Sequence, residues 1–125
     1  MTVKHSDFGS LARYVNQKGQ YSKAGKRLKV GSLKLRTGEF GLSVWGISDL
    51  KIDEIKNIGE SLLTEGRRSH GYGEFSQTDF LDEKLNIDFT SGKPRHADVV
   101  DWPEDEEERT EIANILSLKS KLVLF

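Results

Sequence analysis

Apolar and polar residues change period several times along the chain, and each change marks an element. Leu11-Ala12-Arg13-Tyr14-Val15 has the make-up of a short strand, whereas 17–26, with two glycines and no large aliphatic residue, predicts a mobile loop. Leu28 and Val30 alternate on one parity and Leu33 and Leu35 on the other, so the switch across Gly31-Ser32 predicts a β-bulge or tight bend. Phe40, Leu42 and Val44 carry a two-residue period into Trp45, which predicts a strand over 40–47. Pairing of 28–35 with 40–47 through Thr37-Gly38-Glu39 is the expected hairpin.

The period then lengthens. Ile52, Ile55, Ile58, Leu62 and Leu63 recur at three to four residues, with acids early and Gly66 behind, so an amphipathic helix is expected over about 51–65, capped near Asp49. A strand at 72–76 follows a glycine-rich stretch, then a short helix at about 78–84 after Ser76 or Thr78. The alternation Leu85-Asn86-Ile87-Asp88-Phe89 predicts another strand, broken by Ser91-Gly92-Lys93-Pro94. Residues 96–100 read as extended. Asp101-Trp102-Pro103-Glu104 has the spacing of a helix start, giving a helix over about 103–117 with Ile112, Ile115 and Leu116 inward, and 121–125 closes as a strand. The expectation is an α+β fold: a small mixed or antiparallel sheet of five to six strands, two main helices and one short one.

Composition narrows the class. A chain of 125 residues with eleven aromatic side chains suffices for one compact core, so 1–125 is read as one domain with 1–10 frayed. Zero cysteines exclude a disulfide framework and thiol chemistry, and the start Met1-Thr2-Val3-Lys4-His5 lacks the apolar run of a secretory signal, which points to the cytoplasm with no membrane span. The net charge of −1 hides a division. Residues 1–36 hold nine basic side chains against Asp7 alone, whereas 37–125 hold ten against nineteen acids. A basic front of this kind suits a polyanion or an acidic protein surface, provided the acids do not fold over it.

Candidate chemistry is sparse. The acids at 104–108 are the oxygen donors hard cations prefer, but consecutive helical residues diverge and acids favour a helix N-terminus, so no metal and no cofactor is expected. Gly66, Gly71 and Gly73 lack the spacing of a phosphate loop. His96 and Asp98 would share a strand face, yet residues two apart on a strand do not normally touch, and no nucleophile is evident. His70, within Arg67-Arg68-Ser69-His70-Gly71, supplies a second imidazole; two histidines beside Arg or Lys suit phosphodiester chemistry. His5 sits in the expected frayed terminus. The basic front interleaves Arg13, Tyr14, Tyr21, Lys23, Lys26, Arg27, Lys29, Lys34 and Arg36, which combines phosphate-binding cations with rings able to stack a base.

Leu42-Ser43-Val44-Trp45, Ile58-Gly59, and above all Arg95-His96-Ala97-Asp98-Val99-Val100-Asp101-Trp102-Pro103 with Asp105-Glu106 carry a resemblance over about 11–118. The chain resembles a widespread group of small uncharacterised bacterial proteins with a Leu-Ser-Val strand and an Arg-His-Ala-(Asp/Asn)-(Val/Ile)-x-x-Trp-Pro block before a C-terminal helix. Here Gly46 follows Trp45 where that group has an arginine. The resemblance implies a bacterial accessory setting, phage defence or a mobile element, and singles out Arg13, Lys29, His70, His96 and Trp102.

Two function classes follow. The first is a non-catalytic interaction or regulatory module that binds an acidic protein or nucleic acid through a basic N-terminal β-hairpin, with Arg13, Tyr14, Lys26, Arg27, Lys29, Lys34 and Arg36 as the contacts. The second is a small histidine-dependent enzyme acting on a phosphate-containing or nucleotide substrate, with His96 as acid or base and His70 in the same pocket.

Overall fold

The structure, a computed structural model, describes residues 9–36, 38–64 and 67–125. His5 and the expected end of the first helix at Gly66 lie outside these.

Eight strands and three helices alternate along the chain: β1 (Leu11–Val15), β2 (Tyr21–Ser22), β3 (Arg27–Leu28), β4 (Leu42–Gly46), α1 (Ile52–Ser61), β5 (Gly71–Phe75), α2 (Gln77–Leu81), β6 (Asn86–Asp88), β7 (His96–Val100), α3 (Glu106–Lys119) and β8 (Lys121–Leu124). Short 3-10 turns occupy Lys18–Gln20 and Val30–Ser32. Six strands form one antiparallel sheet in the order β6-β7-β4-β1-β5-β8, and β2 and β3 form a separate two-stranded sheet. The fold is thus α+β, as the alternating periods predict. No helix among the described residues is long and apolar enough to cross a membrane.

Because successive strand residues point to opposite faces, each strand feeds two layers. Leu11, Val15, Leu42, Val44, Phe75, Ala97 and Val99 face a large core with Phe80, Trp102, Ala113 and Leu116, which α3 and β3 cover. Ala12 and Tyr72 face the other way, onto Ile47 and Ile55, where α1 packs. Gly59 lets α1 come close: a Cβ there would lie 2.7 Å from the Tyr14 ring.

The expected pairing of 28–35 with 40–47 does not form. β4 pairs with β1 (Ala12↔Trp45) and with β7 (Ser43↔Asp98, Trp45↔His96), while β3 pairs back with β2 (Tyr21↔Leu28). Residues 17–26, expected as a mobile loop, form that hairpin's first half. The apolar residues Leu33 and Leu35 are buried by an irregular segment that follows a 3-10 turn, which satisfies the same hydrophobic count without a strand. Both expected caps move as well. Asp49 and Asp101 adopt left-handed backbone, at φ 65° and 66°, and are not caps. Lys51 and Asp105 take their places: the Lys51 N–H donates to Glu54 Oε1 at 3.1 Å, and Asp105 Oδ2 accepts from the Glu108 N–H at 3.0 Å. Ile115, expected inward, is exposed, and Ala113 packs in its stead.

The β2–β3 hairpin is fastened to α3. The Leu28 N–H donates to Ser120 Oγ at 2.9 Å, Ser117 Oγ donates to the Leu28 carbonyl at 2.5 Å, and the Leu122 N–H donates to Lys26 O at 3.0 Å. Gly73 makes room beneath, since a Cβ there would sit 2.5 Å from the Leu28 side chain. Two serines, one glycine and one buried leucine thus set where the hairpin lies.

Candidate nucleic-acid or acidic-partner interface

The seven basic-front residues that the sequence singles out separate into three groups. Arg13 and Tyr14 are turned into the sheet. Arg13 Nε donates to Ser32 O and its NH1 to Ser43 O, both at 3.0 Å, and burial lowers its pKa from the ordinary guanidinium value. Tyr14 Oη donates to Ile55 O at 2.7 Å, its ring lies edge-on to Trp45 and Tyr72, and burial raises its pKa above the usual phenol range. Both side chains are engaged within the fold and only partly exposed.

Lys34 and Arg36 lie beside the start of α3. Lys34 Nζ is 2.9 Å from Glu106 Oε1, and this bond with its charge lowers the Glu106 pKa. Here the acids do fold over the basic front. Arg36 remains exposed, with its own N–H donating to Glu39.

The third group is the hairpin itself. Lys26 occupies the turn in left-handed backbone at φ 54°; Arg27 has opposite parity to the buried Leu28 and so faces outward, and Lys29 follows exposed. Among the described residues no carboxylate lies within ion-pair distance of Lys23, Lys26, Arg27 or Lys29. The reason is architectural. The hairpin is tied to Ser117 and Ser120 at the C-terminal end of α3, whereas Glu106, Glu107 and Glu108 occupy its first turn. Eleven residues of helix at about 1.5 Å each separate the two by roughly 16 Å, twice the screening length of about 8 Å at physiological ionic strength.

Beneath the hairpin, at the end of the sheet, is a cavity of about 400 Å³. The hairpin borders it from one face of the sheet and α1 from the other. Lys23 comes from the hairpin turn, Lys56 and Glu60 from α1, and Arg68, Ser69 and His70 from the segment entering β5. Tyr21 Oη and His70 Nδ1 are 3.0 Å apart, with the two rings edge-on at 5.8 Å. Glu60 is engaged, its Oε2 accepting from the Ser69 N–H at 2.9 Å. The sequence places Tyr21 and Lys23 on the basic front and His70, with its neighbour Arg68, apart from them; it gives no sign of Lys56, which only the packing of α1 against the sheet brings in.

His96 lies elsewhere. Following the register His96–Trp45–Ala12–Glu74 across three strand spacings, then four residues along β5, separates it from His70 by roughly 20 Å. The two imidazoles do not line one pocket. His96 Nε2 is 3.1 Å from Ser43 Oγ and 3.6 Å from Asp98 Oδ1, and Trp45 lies edge-on at 5.0 Å. The two side chains thus come closer than their two-residue spacing predicts, and Ser43 of the neighbouring strand joins them. Yet hydroxyl and carboxylate both address Nε2 while the buried Nδ1 has no partner among the described residues, whereas a nucleophile relay needs the carboxylate on the nitrogen opposite the hydroxyl. Trp102 is a core residue, its indole N–H donating to Val99 O at 2.9 Å. No group of three or more metal-ligating side chains occurs among the described residues.

No protein-family model, curated protein or solved structure matches this chain, so function is argued from the site itself.

Proposed function

We propose that the protein is a non-catalytic binding module that engages an acidic partner through the β2–β3 hairpin, with Lys23, Lys26, Arg27 and Lys29 as the contact cations. The observation that supports this reading is that no carboxylate among the described residues pairs with them, in a chain that carries one more acid than base in all. Cations left unpaired and outward-facing set up a positive field for a polyanion. The bacterial accessory, phage-defence or mobile-element setting that the sequence resemblance implies belongs to the same proposal: the module would act there by association.

The test is fluorescence anisotropy of the whole protein with a labelled single-stranded oligonucleotide and, separately, a labelled polyglutamate peptide, across a salt series. Binding to at least one probe that weakens with salt is expected. Combined reversal of Lys26→Glu, Arg27→Glu and Lys29→Glu should lower the slope of log K against log salt by about two for a single strand, at about 0.7 per phosphate contact. Failure of both probes to bind at low salt, or binding indifferent to salt, would sink the proposal.

A further inference from the structure

The cavity beneath the hairpin carries more information than its charge. Three cations from three separate elements, Lys23, Lys56 and Arg68, converge on it, against one carboxylate, Glu60, that is already bonded to backbone. That leaves two net positive charges among the lysine, arginine and glutamate side chains. The cavity also presents the rings of Tyr21 and His70, both half-buried and locked in mutual orientation by their 3.0 Å hydrogen bond, with Leu124 and Phe125 completing its wall. An acidic peptide would satisfy the cations and leave the rings unused. A duplex would offer phosphates but keep its bases stacked inside. A phosphate attached to an unstacked base uses both features: a guanidinium fork and ammonium groups for the oxygens, and flat faces for the base. The volume of about 400 Å³ falls within the roughly 300–1,000 Å³ of small-molecule sites and exceeds what a lone carboxylate needs.

We infer that this pocket binds a nucleoside phosphate unit, its phosphate against Lys23, Lys56 and Arg68 and its base against Tyr21 and His70, which makes the acidic partner a single-stranded nucleic acid or a free nucleotide. The inference rests on the hairpin reading and specifies its ligand. The hairpin cations Lys26, Arg27 and Lys29 would then follow the neighbouring phosphates of a strand.

The experiment uses the full chain, labelled oligothymidylate and four unlabelled competitors: thymidine 5′-monophosphate, inorganic phosphate, polyglutamate and a duplex. The exposed variants Lys56→Gln and Arg68→Gln, each checked for an unchanged circular dichroism spectrum and melting temperature, should weaken oligothymidylate about tenfold or more, as expected for loss of one charge-assisted bond. His70→Ala should weaken oligothymidylate and leave polyglutamate unchanged. Displacement by thymidine monophosphate well below the concentration at which inorganic phosphate displaces supports a free nucleotide as sufficient ligand; loss of strand binding in Arg68→Gln without such displacement supports a strand. If Lys56→Gln, Arg68→Gln and His70→Ala all leave oligothymidylate within about twofold while the hairpin reversal abolishes it, the pocket inference is overturned and the hairpin reading stands. If polyglutamate or the duplex competes as well as the strand, charge for charge, the nucleotide class is overturned as well. Absence of binding by every probe defeats the hairpin reading itself.

Discussion

Removing the hydroxyl of Ser120 should destabilise the protein through a residue far away in sequence. Leu28 has no exposed surface, and its N–H donates to Ser120 Oγ at 2.9 Å; Ser120 itself is buried. Alanine in its place leaves that N–H without an acceptor, at a cost of about 1–3 kcal/mol for a buried unpaired amide. Ser117→Ala does the same to the Leu28 carbonyl, which keeps a second lone pair and so loses toward the lower end. With an unfolding entropy of about 2.1 cal/mol/K per residue, a loss of about 2 kcal/mol lowers the melting temperature by roughly 8 °C. Urea denaturation should give a lower midpoint at unchanged m-value, and calorimetry the matching shift. Native-state hydrogen exchange at the Leu28 amide reads the bond directly, and its protection should fall in Ser120→Ala. The exposed Glu111→Gln on α3 is the control, expected within about 0.5 kcal/mol of the parent. A loss below about 0.5 kcal/mol in Ser120→Ala, with Leu28 exchange unchanged, would show that water or another group takes over and that the hairpin is not fastened to α3 in this way.

Three further outcomes follow from separate parts of the fold. Gly73→Ala places a methyl 2.5 Å from Leu28 and should cost about 1–3 kcal/mol in urea denaturation, with Leu28→Ala in the same chain relieving part of the clash so that the double variant loses less than the sum. Arg13→Lys should be destabilising by about 1–3 kcal/mol, because an ammonium on a flexible stem does not span Ser32 O and Ser43 O together; stability equal to the parent would refute the inward bidentate role. Glu106 and Asp88 should titrate below ordinary carboxylates by NMR, the first through Lys34 and the second through Thr90, and Lys34→Met should raise Glu106 alone. Since both folded pKa values are depressed, whatever stability they supply is present above the unfolded carboxylate range, near pH 4, and is lost as pH falls through the folded values.

What the sequence discloses and what it withholds divide along one line: periodicity reports which face a residue takes, not which segment lies beside it. β4 alternates buried and part-exposed residues, so its period survives in the sequence; β1, β5 and β7 are buried on both faces and show only as short extended runs, and the helix at α3 announces itself by its acids. The pairing of β4 with β1 and β7 spans about thirty and fifty residues of chain, and nothing local encodes it. Segment 28–35 was misread as a strand for the same reason. Leu28, Leu33 and Leu35 are all buried, but by a two-residue strand, a 3-10 turn and a loop in succession, and burial alone leaves an apolar pattern that a bulged strand would share. The cap of α3 shows how close such decisions are. Asp101 with Glu104 and Asp105 with Glu108 have the same three-residue spacing. Trp102 decides between them: its ring is in the core and its N–H is committed to Val99 O, which holds 101–104 out of the helix and delays the start to Asp105. The site obeys the same logic. Tyr21, Lys56 and the Arg68–His70 pair come from three segments, and they meet only because Ser117 and Ser120 hold the hairpin down on one face of the sheet while Gly59 admits α1 on the other. Likewise the division of charge along the chain becomes a division in space only through the length of α3, which keeps its first-turn acids at the opposite end from the hairpin. A basic stretch in sequence is therefore a weak predictor of a basic surface here: Arg13 is spent on two carbonyls and Lys34 on a carboxylate, and, Arg36 apart, the cations left outward are those whose strand is fastened at the helix's other end.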